Sequence, residues 1–526
     1  MAAFDVVIVG AGHNALVCAL YLAKAGRRVL VLERSAEIGG ALRSAELTLP
    51  GFVHDLYATN VGQFAVSPAY RDFAAEFAAA RLEFLSNPYP YATAFDDGKA
   101  IRVYKDPALT EREIAAHSVD DAAAWRELVG LFKRTAPHFL PLFFTPLPSA
   151  AAALHAARLL GASPRSAWAL RRILSDTPRA FVDRRFVTRE TKALLIPWAY
   201  HMDFGLDVPG GAAFAFVAGL SGHLRGLSVA KGGAGAITSA LRRIAHSLGV
   251  EIRTSAEVKS IEVEHGRATG VTLAGGETIE ADCVIASVTP KLLFGGLVAG
   301  EHLAPAFRRH IGAYRYGPAT FVVHLALDRP LEWRAADDLA QFNYVHLCGL
   351  TEDVARTYAD SLAGRLPARP VLVVSQTTPV DPSRAPPGKH VARIHVRTVP
   401  STITGDADGT IRARSWKEAA EPYAERVLDL VAAQAPNLRQ AILARRIVTP
   451  PEIEADNPNL VGGDCVSGSH HLDQNFTRRP LRGWSRYATP IRGLYMTGAA
   501  TWPGGGVHGG SGYLLAQRLL QSGWSG

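Results

Sequence analysis

The chain opens on a pattern typical of a buried parallel strand followed by a helix. Residues 6–9 form an uninterrupted β-branched run, as a strand covered on both faces requires. Apolar residues then recur at helical spacing over residues 16–23, and Gly26 marks the end of the helix. A second apolar run follows at residues 29–32. The pattern predicts a β–α–β unit at the start of the chain.

A long alanine-rich region comes next. Residues 68–225 show helical periodicity and predict a helical insertion, in which residues 139–160 are markedly apolar. They are not expected to span a membrane, because Pro141, Pro146 and Pro148 would break the helix where a bilayer leaves freed backbone groups without partners. We expect this stretch to wall a lipophilic substrate tunnel or to touch a membrane surface. An ordinary packed helix is the alternative.

Strand and helix patterns alternate again after residue 225. A helix is predicted over residues 236–248, with strands over 261–264, 268–273 and 280–287. The glycine runs here do not follow a strand with an acidic residue behind it. The sequence therefore shows no second dinucleotide motif, and no NAD(P) domain is expected.

The last part of the chain mixes strands with helices. Residues 371–375 are expected to pair with residues 391–396, and residues 421–433 are typical of an amphipathic helix. A strand over residues 492–499 leads into a glycine-rich turn, and a helix over residues 511–520 follows.

These elements predict an α/β protein with two interleaved domains. A Rossmann-like domain is assembled from residues 1–67, 226–300 and 486–526. A mixed α+β substrate domain is inserted into it as residues 68–225, which are helical, and residues 301–485, which supply a sheet and helices. The length of 526 residues suits this organisation.

Composition narrows the class of protein. With 48% hydrophobic and 20% charged residues, the chain is neither disordered nor fibrous. Its four cysteines lie far apart in sequence, which excludes a disulfide framework, a CxxC redox pair and a cysteine zinc site. We predict no metal site, and a reducing cytoplasm fits this cysteine usage.

The net charge of +8 raises nucleic acid and anionic membranes as partners. No run of five or more basic residues appears, so nucleic acid is not expected to bind. The first ten residues lack the pattern of a secretory signal. We expect a cytoplasmic protein, and peripheral contact with the inner membrane surface stays open.

Candidate chemistry begins between the first strand and the first helix. Residues 10–15 form a GxGxxA motif. Gly10 allows the tight turn, Gly12 lets the backbone approach a pyrophosphate, and Ala15 keeps the helix close to the strand. Asn14 lies within the same motif. The free N–H groups of the helix N-terminus would face the phosphates.

An acidic residue completes this motif. Glu33 ends the second strand, where its carboxylate can accept hydrogen bonds from the adenosine ribose and repel a 2′-phosphate. Arg34 stands beside it and is included in the candidate site. Strand, glycines, helix, strand and acid together predict dinucleotide binding.

A second glycine motif decides between FAD and NAD. Gly39 and Gly40 are followed by Ala41 and, two residues later, Arg43. This segment resembles the second glycine motif of the FAD-binding family that includes amine oxidases and phytoene desaturases. The resemblance implies that the Gly39–Gly40 backbone approaches the flavin side of the pyrophosphate. Ala41 stands where the family usually has arginine, so Ala41 and Arg43 both remain candidates for this contact.

The resemblance extends over nearly the whole chain. It includes residues 51–55, 231–290, 381–390 and 494–510, in order. The chain is similar to the phytoene desaturase-like FAD oxidoreductases, especially the branch labelled pyridine nucleotide-disulfide oxidoreductase domain-containing. The lack of a CxxC motif means that this label does not imply disulfide chemistry here.

The family implies an FAD-binding domain of the glutathione reductase and amine oxidase type. It also implies a substrate domain with an apolar channel that ends at the flavin. The backbone at Val258 would meet the adenine. The residues that would line the isoalloxazine and ribityl chain are Gly498, Ala499, Gly505, Gly506 and Val507.

Three functions remain open. The leading hypothesis is an FAD-dependent dehydrogenase that desaturates, dehydrogenates or isomerises C–C bonds of a polyprenoid- or acyl-like lipophilic substrate by hydride transfer to flavin N5, with oxygen or a quinone as electron acceptor. The second is a flavin amine oxidase acting on a C–N bond. The third is a flavin-binding partner protein without turnover.

Few side chains are candidates for acid–base catalysis. His508 lies within the C-terminal glycine motif, His471 in the loop before it, and His201 at the end of the helical insertion. Each could instead be a packed histidine without a catalytic role.

Overall fold

The computed structural model describes residues 4–348 and 351–522, with side chains through Gln521. In chain order the described strands are β1 (Phe4–Val9), β2 (Val29–Leu32), β3 (Ser44–Glu46), β4 (Val53–Asp55), β5 (Phe84–Asn87), β6 (Tyr91–Ala94), β7 (Ala100–Val103), β8 (Leu227–Ala230), β9 (Glu251–Arg253), β10 (Val258–Glu264), β11 (Arg267–Leu273), β12 (Thr278–Ala286), β13 (Ala319–Leu327), β14 (Tyr344–Leu347), β15 (Arg365–Leu366), β16 (Val371–Gln376), β17 (His390–Val399), β18 (Gly405–Asp406), β19 (Ile442–Val448) and β20 (Leu494–Met496).

The described α-helices are α1 (His13–Lys24), α2 (Pro68–Asp72), α3 (Ala74–Ala79), α4 (Pro107–Ala115), α5 (Val119–Phe139), α6 (Ala150–Ala162), α7 (Pro164–Ser175), α8 (Pro178–Asp183), α9 (Arg189–Lys192), α10 (Ile196–Tyr200), α11 (Gly211–Arg225), α12 (Gly235–Ser247), α13 (Pro290–Leu292), α14 (Pro305–Gly312), α15 (Thr351–Leu362), α16 (Trp416–Ala432), α17 (Leu438–Ala441), α18 (Pro450–Asp456) and α19 (Gly510–Ser522).

The first sheet belongs to the nucleotide-binding domain and has the order β10-β11-β12-β1-β2-β9, with β20 beside β12. Strands β20, β12, β1, β2 and β9 run parallel. Alternate residues of β1 enter different cores: Val6 and Ile8 pack on the side of α1, α12 and α19, and Val7 and Val9 pack on the opposite side. Burial of both faces explains the uninterrupted apolar runs of the sequence.

The second sheet belongs to the substrate domain and has the order β19-β13-β17-β16-β14-β6-β7. Its strands pair antiparallel except for β14 and β6. One face packs on α16, where Phe321 stacks on Trp416 with ring centroids 5.4 Å apart and meets Tyr423 edge-on. The other face turns toward the nucleotide-binding domain and contributes to the cavity described below.

Several expectations from the sequence are confirmed. The β1–α1–β2 unit forms, β16 pairs with β17, and β20 leads to the terminal helix α19. The predicted Rossmann-like α/β fold with a mixed α+β domain is present. The division of the chain at residues 67, 225, 300 and 485 stays a prediction.

Two expectations are corrected. Residues 68–225 are not purely helical, because β5, β6 and β7 lie among the helices, and β6 and β7 extend the second sheet. These four-residue strands pair with distant partners, which local periodicity does not reveal. Helix α16 begins earlier than predicted, at Trp416, because the Ser415 hydroxyl caps it by accepting from the Glu418 N–H.

Within residues 4–348 and 351–522, no helix is both long and apolar enough to cross a membrane. The same residues show no group of three or more His, Cys, Asp or Glu side chains that could hold a metal ion.

Candidate active site

A cavity of about 1280 Å³ lies between the two sheets. Its walls come from the β1–α1 loop, the end of β12 and the C-terminal glycine loop on one side. Strands β14, β16 and β17 and helix α11 line it on the other. Pockets for a single drug-sized ligand span roughly 300–1,000 Å³, so this volume suits a dinucleotide together with a substrate.

The two glycine motifs form one wall of the cavity. Gly12 is the N-cap of α1 and no described side chain caps this helix, so its first N–H groups face the cavity. The Gly39 N–H donates to the Ala11 carbonyl at 2.9 Å. A Cβ on Gly40 would lie 3.4 Å from the Gly12 Cα. The glycines therefore leave room for a ligand's backbone-facing phosphate groups.

Glu33 lies at one end of this wall. Its carboxylate accepts from the Ala11 N–H and the Ser35 N–H, both at 2.9 Å, which fixes its orientation. A carboxylate has further lone pairs that can accept ribose hydroxyls. Val258 and Arg34 line the same end of the cavity, and the Arg34 guanidinium also donates to the Ala455 carbonyl at 2.8 Å.

Arg43 lines the cavity beside Ala41. Its Nε donates to the Gly40 carbonyl at 3.1 Å, and its guanidinium pairs with the Asp456 carboxylate, which also accepts from the Tyr57 hydroxyl. The charge of Arg43 is thus already balanced within the protein.

The C-terminal glycine loop forms the opposite end. Gly498, Ala499, Gly505, Gly506 and Val507 all line the cavity, as the resemblance implied. Side chains would not fit here, because a Cβ on Gly505 would lie 3.1 Å from the Val466 Cβ, and one on Gly506 would lie 2.8 Å from the Gln63 Oε1.

Two side chains of the preceding loop hold this glycine loop in place. Arg479 donates to the Ala499 carbonyl at 2.7 and 3.0 Å and to the Ser469 carbonyl at 2.8 Å. The Gly505 N–H donates to the His470 Nε2 at 2.9 Å. These contacts make Arg479 and His470 supports of the loop rather than groups that face the cavity.

Not every predicted residue reaches the cavity. Gly39 and Ala15 lie behind the wall, and Asn14 lines it. Ala15 is fully buried at the contact of α1 with α19, where a Cβ on Gly512 would lie 1.9 Å from the Asn14 carbonyl oxygen. Gly512 is a further requirement of the site, because it lets α19 approach the N-terminus of α1.

The three candidate histidines occupy different places. His508 is buried outside the lining of the cavity, and its Nδ1 accepts from the Gly510 N–H at 2.9 Å. Burial, together with the neighbouring His13, lowers its pKa to about 3. His471 also lies outside the lining, where its Nε2 is 3.0 Å from the Asp203 carbonyl oxygen and its ring stacks on Phe204.

His201 is the candidate histidine that lines the cavity. Its Nε2 lies 3.2 Å from the Nε2 of His346. Burial, with the positive charges nearby, holds the pKa of His201 well below its ordinary value. The structure therefore separates the three histidines that the sequence grouped as catalytic candidates.

The sequence analysis missed a polar face on β17. Arg393, His395 and Arg397 line the cavity, while Ile394 and Val396 between them enter the core beneath α16. This alternation with a period of two was visible in the sequence and is the signal that could have identified these residues.

Comparisons with known proteins agree with this geometry. The model of the flavin-containing amine oxidoreductases matches residues 16–520. The chain belongs to this family. Among curated relatives, pyridine nucleotide-disulfide oxidoreductase domain-containing protein 2 of Mus musculus is 29% identical over 97% of this chain and 92% of its own length. A limonene dehydrogenase of Castellaniella defragrans is 29% identical (98% and 94%), and phytoene dehydrogenase of Streptomyces griseus is 28% identical (98% and 94%).

Solved structures of this family show the same fold. An oxidoreductase from Methanosarcina mazei superimposes with a TM-score of 0.64 at 18% identity, covering 98% of this chain and 100% of its own. Cyclohexylamine oxidase from Brevibacterium oxydans gives a TM-score of 0.59 at 17% identity, covering 98% and 99%.

Family membership confirms that the protein is an FAD-dependent oxidoreductase. The residues present fit the cofactor: an uncapped helix N-terminus, an oriented carboxylate and a glycine-lined wall all border one cavity. The resemblance to phytoene desaturase-like oxidoreductases is likewise confirmed by the named relatives.

Proposed function

We propose that this protein desaturates, dehydrogenates or isomerises C–C bonds of a lipophilic substrate. The observation that carries the proposal is the continuity of the cavity. From its glycine-lined wall it extends to an apolar region formed by Leu140, Pro141, Phe144, Phe214 and Val217. Relatives named limonene dehydrogenase and phytoene dehydrogenase support this substrate class.

The residues of the chain hold FAD in an extended arrangement in this proposal. Glu33 accepts the ribose hydroxyls, and the Val258 backbone meets the adenine. The glycines of both motifs face the pyrophosphate, with Arg43 beside them. The C-terminal glycine loop presses on the flavin ring, whose bound form supplies the hydride acceptor.

Side chains in the apolar region exclude water from the reacting carbons. His201 lines the cavity with a neutral imidazole, which can hold a proton released from the carbon next to the one that loses hydride. Its depressed pKa makes it a weak base, and formation of a conjugated double bond does not require a strong one.

Amine oxidation is the second candidate function, and the charge of the cavity argues against it. Two arginines, Arg393 and Arg397, line the side formed by the second sheet. Their positive charge disfavours an ammonium-bearing substrate.

The electron acceptor in this proposal is oxygen or a quinone. Peripheral membrane contact would deliver both a quinone and a lipophilic substrate. Helix α6 supports it, because none of its side chains is buried. Leu154, Leu160 and, on α7, Trp168 are exposed beside four exposed arginines, Arg158, Arg165, Arg171 and Arg172. This combination suits an anionic bilayer surface, and we place the protein in the cytoplasm on the inner membrane face.

Anaerobic reduction of the FAD-loaded protein tests the function. Polyprenoids, fatty acyl compounds and amines are mixed with the protein, and flavin absorbance near 450 nm is followed, with dithionite as the control for a reducible flavin. Loss of absorbance with polyprenoid or acyl compounds, and not with amines, is expected. Rapid reduction by amines alone would establish the second function instead.

A further inference from the structure

Two guanidinium groups are buried on the cavity face of β17. Arg393 and Arg397 are 8% and 7% exposed, and both line the cavity. They stand two positions on either side of His395, so the three side chains share one face of the strand.

The hydrogen bonds of Arg393 are weak and incomplete. Its Nη1 donates to the Thr59 hydroxyl at 3.3 Å, and its Nη2 lies 3.5 Å from the His395 Nδ1. Its Nε is buried and has no partner among the described residues. A buried donor without a partner is unfavourable unless a ligand satisfies it.

Arg397 is better anchored. Its Nε donates to the Tyr200 carbonyl at 2.9 Å, its Nη2 donates to the His201 carbonyl, and its Nη1 lies 3.1 Å from the His395 Nε2. The imidazole of His395 therefore bridges the two guanidiniums, and burial with these charges holds its pKa well below the ordinary value. A neutral imidazole adds no charge of its own.

Neither arginine has a negative partner in the protein. Within the described ranges, no carboxylate oxygen lies within 4 Å of either guanidinium. Burial lowers the pKa of both groups. The carboxylates that partly offset this shift are committed elsewhere: Asp55 pairs with Arg384 at 3.2 Å, and Asp464 accepts three backbone N–H bonds.

Other buried arginines of this fold are satisfied. Arg384, 1% exposed, pairs with Asp55 and Asp381, and Arg426 pairs with Asp406. Arg479 has no carboxylate but donates to backbone carbonyls through all three of its nitrogens. Buried charges are usually paired in proteins, so an incompletely bonded pair that faces a ligand cavity marks a place for a ligand's negative charge.

We propose that Arg393 and Arg397 bind the oxyanion at one end of an otherwise apolar substrate, a carboxylate or a phosphate ester. Guanidinium groups recognise both through paired N–H donors. The inference rests on the proposed function, because it assigns a chemical class to the substrate of the same cavity: an amphipathic acid whose apolar chain extends along the wall formed by α11 and the segment after α5.

Ligand binding tests the assignment without requiring turnover. Radiolabelled oleate, oleyl phosphate and oleyl alcohol are compared by equilibrium dialysis against the FAD-loaded protein, below their critical micelle concentrations. We expect at least one of the anions to bind tenfold or more tightly than the alcohol, and the difference between the two anions identifies the head group.

Variants locate the site. Arg393→Met is expected to weaken binding of the preferred anion about 10- to 100-fold and to leave binding of the alcohol unchanged. Arg393→Lys, which keeps the charge without the fork of donors, should bind the anion with intermediate affinity. Arg225→Met removes an exposed positive charge that also lines the cavity and should retain the wild-type affinity.

The flavin spectrum and thermal midpoint of each variant verify folding, and the comparison of ligands on the wild-type protein stands even where a variant fails to fold. Equal binding of anions and alcohol by the wild-type protein overturns the proposal. So does an Arg225→Met loss equal to that of Arg393→Met. Anion binding without flavin reduction by any ligand counts against the proposed function and leaves the anion site in place.

Discussion

Glu33 connects the sequence motif to the cofactor through two backbone hydrogen bonds. Its carboxylate accepts from the N–H groups of Ala11 and Ser35, so it is already oriented when a ribose hydroxyl arrives. Replacing Glu33 with Ala removes a charged acceptor worth about 1.5–3 kcal/mol, which corresponds to a roughly 10- to 150-fold weaker affinity for FAD.

The affinity is measured by fluorescence titration of the apoprotein with FAD. Glu33→Gln is the matched control, because the amide keeps the shape and one acceptor oxygen, and its loss should be smaller. Wild-type affinity in Glu33→Ala would show that the ribose does not reach this carboxylate.

His508 illustrates how a residue in a functional motif can lie behind the site. Its Nδ1 accepts from the Gly510 N–H at the start of α19, and its ring meets Phe144 edge-on. We expect His508→Ala to lower thermal stability and to leave the rate of anaerobic flavin reduction near that of the wild type.

His508→Asn tests the cause, because its side-chain oxygen can again accept from Gly510 and should restore part of the stability. If flavin reduction in fully FAD-loaded His508→Ala instead slows by about 10²–10⁴-fold, His508 acts on a proton in the reaction.

At the scale of elements, the apolar stretch after α5 divides into two parts with different surroundings. Leu140, Pro141, Phe144 and Thr145 line the cavity, as the sequence predicted for a tunnel wall. Helix α6, by contrast, buries none of its side chains. The membrane contact therefore belongs to α6 and α7 and not to the residues that wall the cavity.

The triple variant Leu154→Ser, Leu160→Ser and Trp168→Ser tests this contact. We expect reduced sedimentation with anionic phosphatidylglycerol vesicles and an unchanged flavin spectrum, because these side chains are exposed and hold no core together. Val187→Ser, which removes another exposed apolar side chain far along the chain, serves as control. Equal sedimentation of the triple variant and the wild type would contradict a bilayer contact at α6.

At the scale of the whole molecule, buried histidines make stability depend on pH. Burial lowers the pKa of His346 and His508 to about 3 and that of His54, His223 and His13 to about 4, from 6.5. Below pH 6.5 the unfolded chain takes up protons that the folded protein refuses. Stability is therefore fully present above pH 6.5 and is lost as the pH falls toward 4, by up to about 1.4 kcal/mol per pH unit for each imidazole.

Urea unfolding at pH 7.5, 6.5 and 5.5 measures this dependence. The midpoint is expected to fall with pH, and the fall should be smaller in His223→Gln, because one titrating group is gone while the amide oxygen can still accept from the Trp125 indole. A midpoint that stays constant from pH 7.5 to 5.5 would contradict neutral, buried imidazoles.

Local patterns and distant pairings explain what the sequence could predict. The β1–α1–β2 unit and the glycine wall depend on residues close together in the chain, so spacing alone located Gly10, Gly12 and Glu33. The membership of β6 and β7 in the second sheet depends on pairing with β14, more than two hundred residues away. The basic face of β17 acquires meaning only when both domains enclose a cavity around it.

The packing of α19 on α1 also bears on how the protein is made. Gly512 lets the two helices meet at the phosphate-facing end of α1, yet almost the whole described chain separates them. Ribosomes add roughly 5–20 residues per second, so α1 waits on the order of a minute for its partner. The nascent chain cannot complete the wall that holds the flavin until α19 has emerged. We therefore expect capture of FAD to be a late step of biosynthesis, one that follows synthesis of the substrate domain.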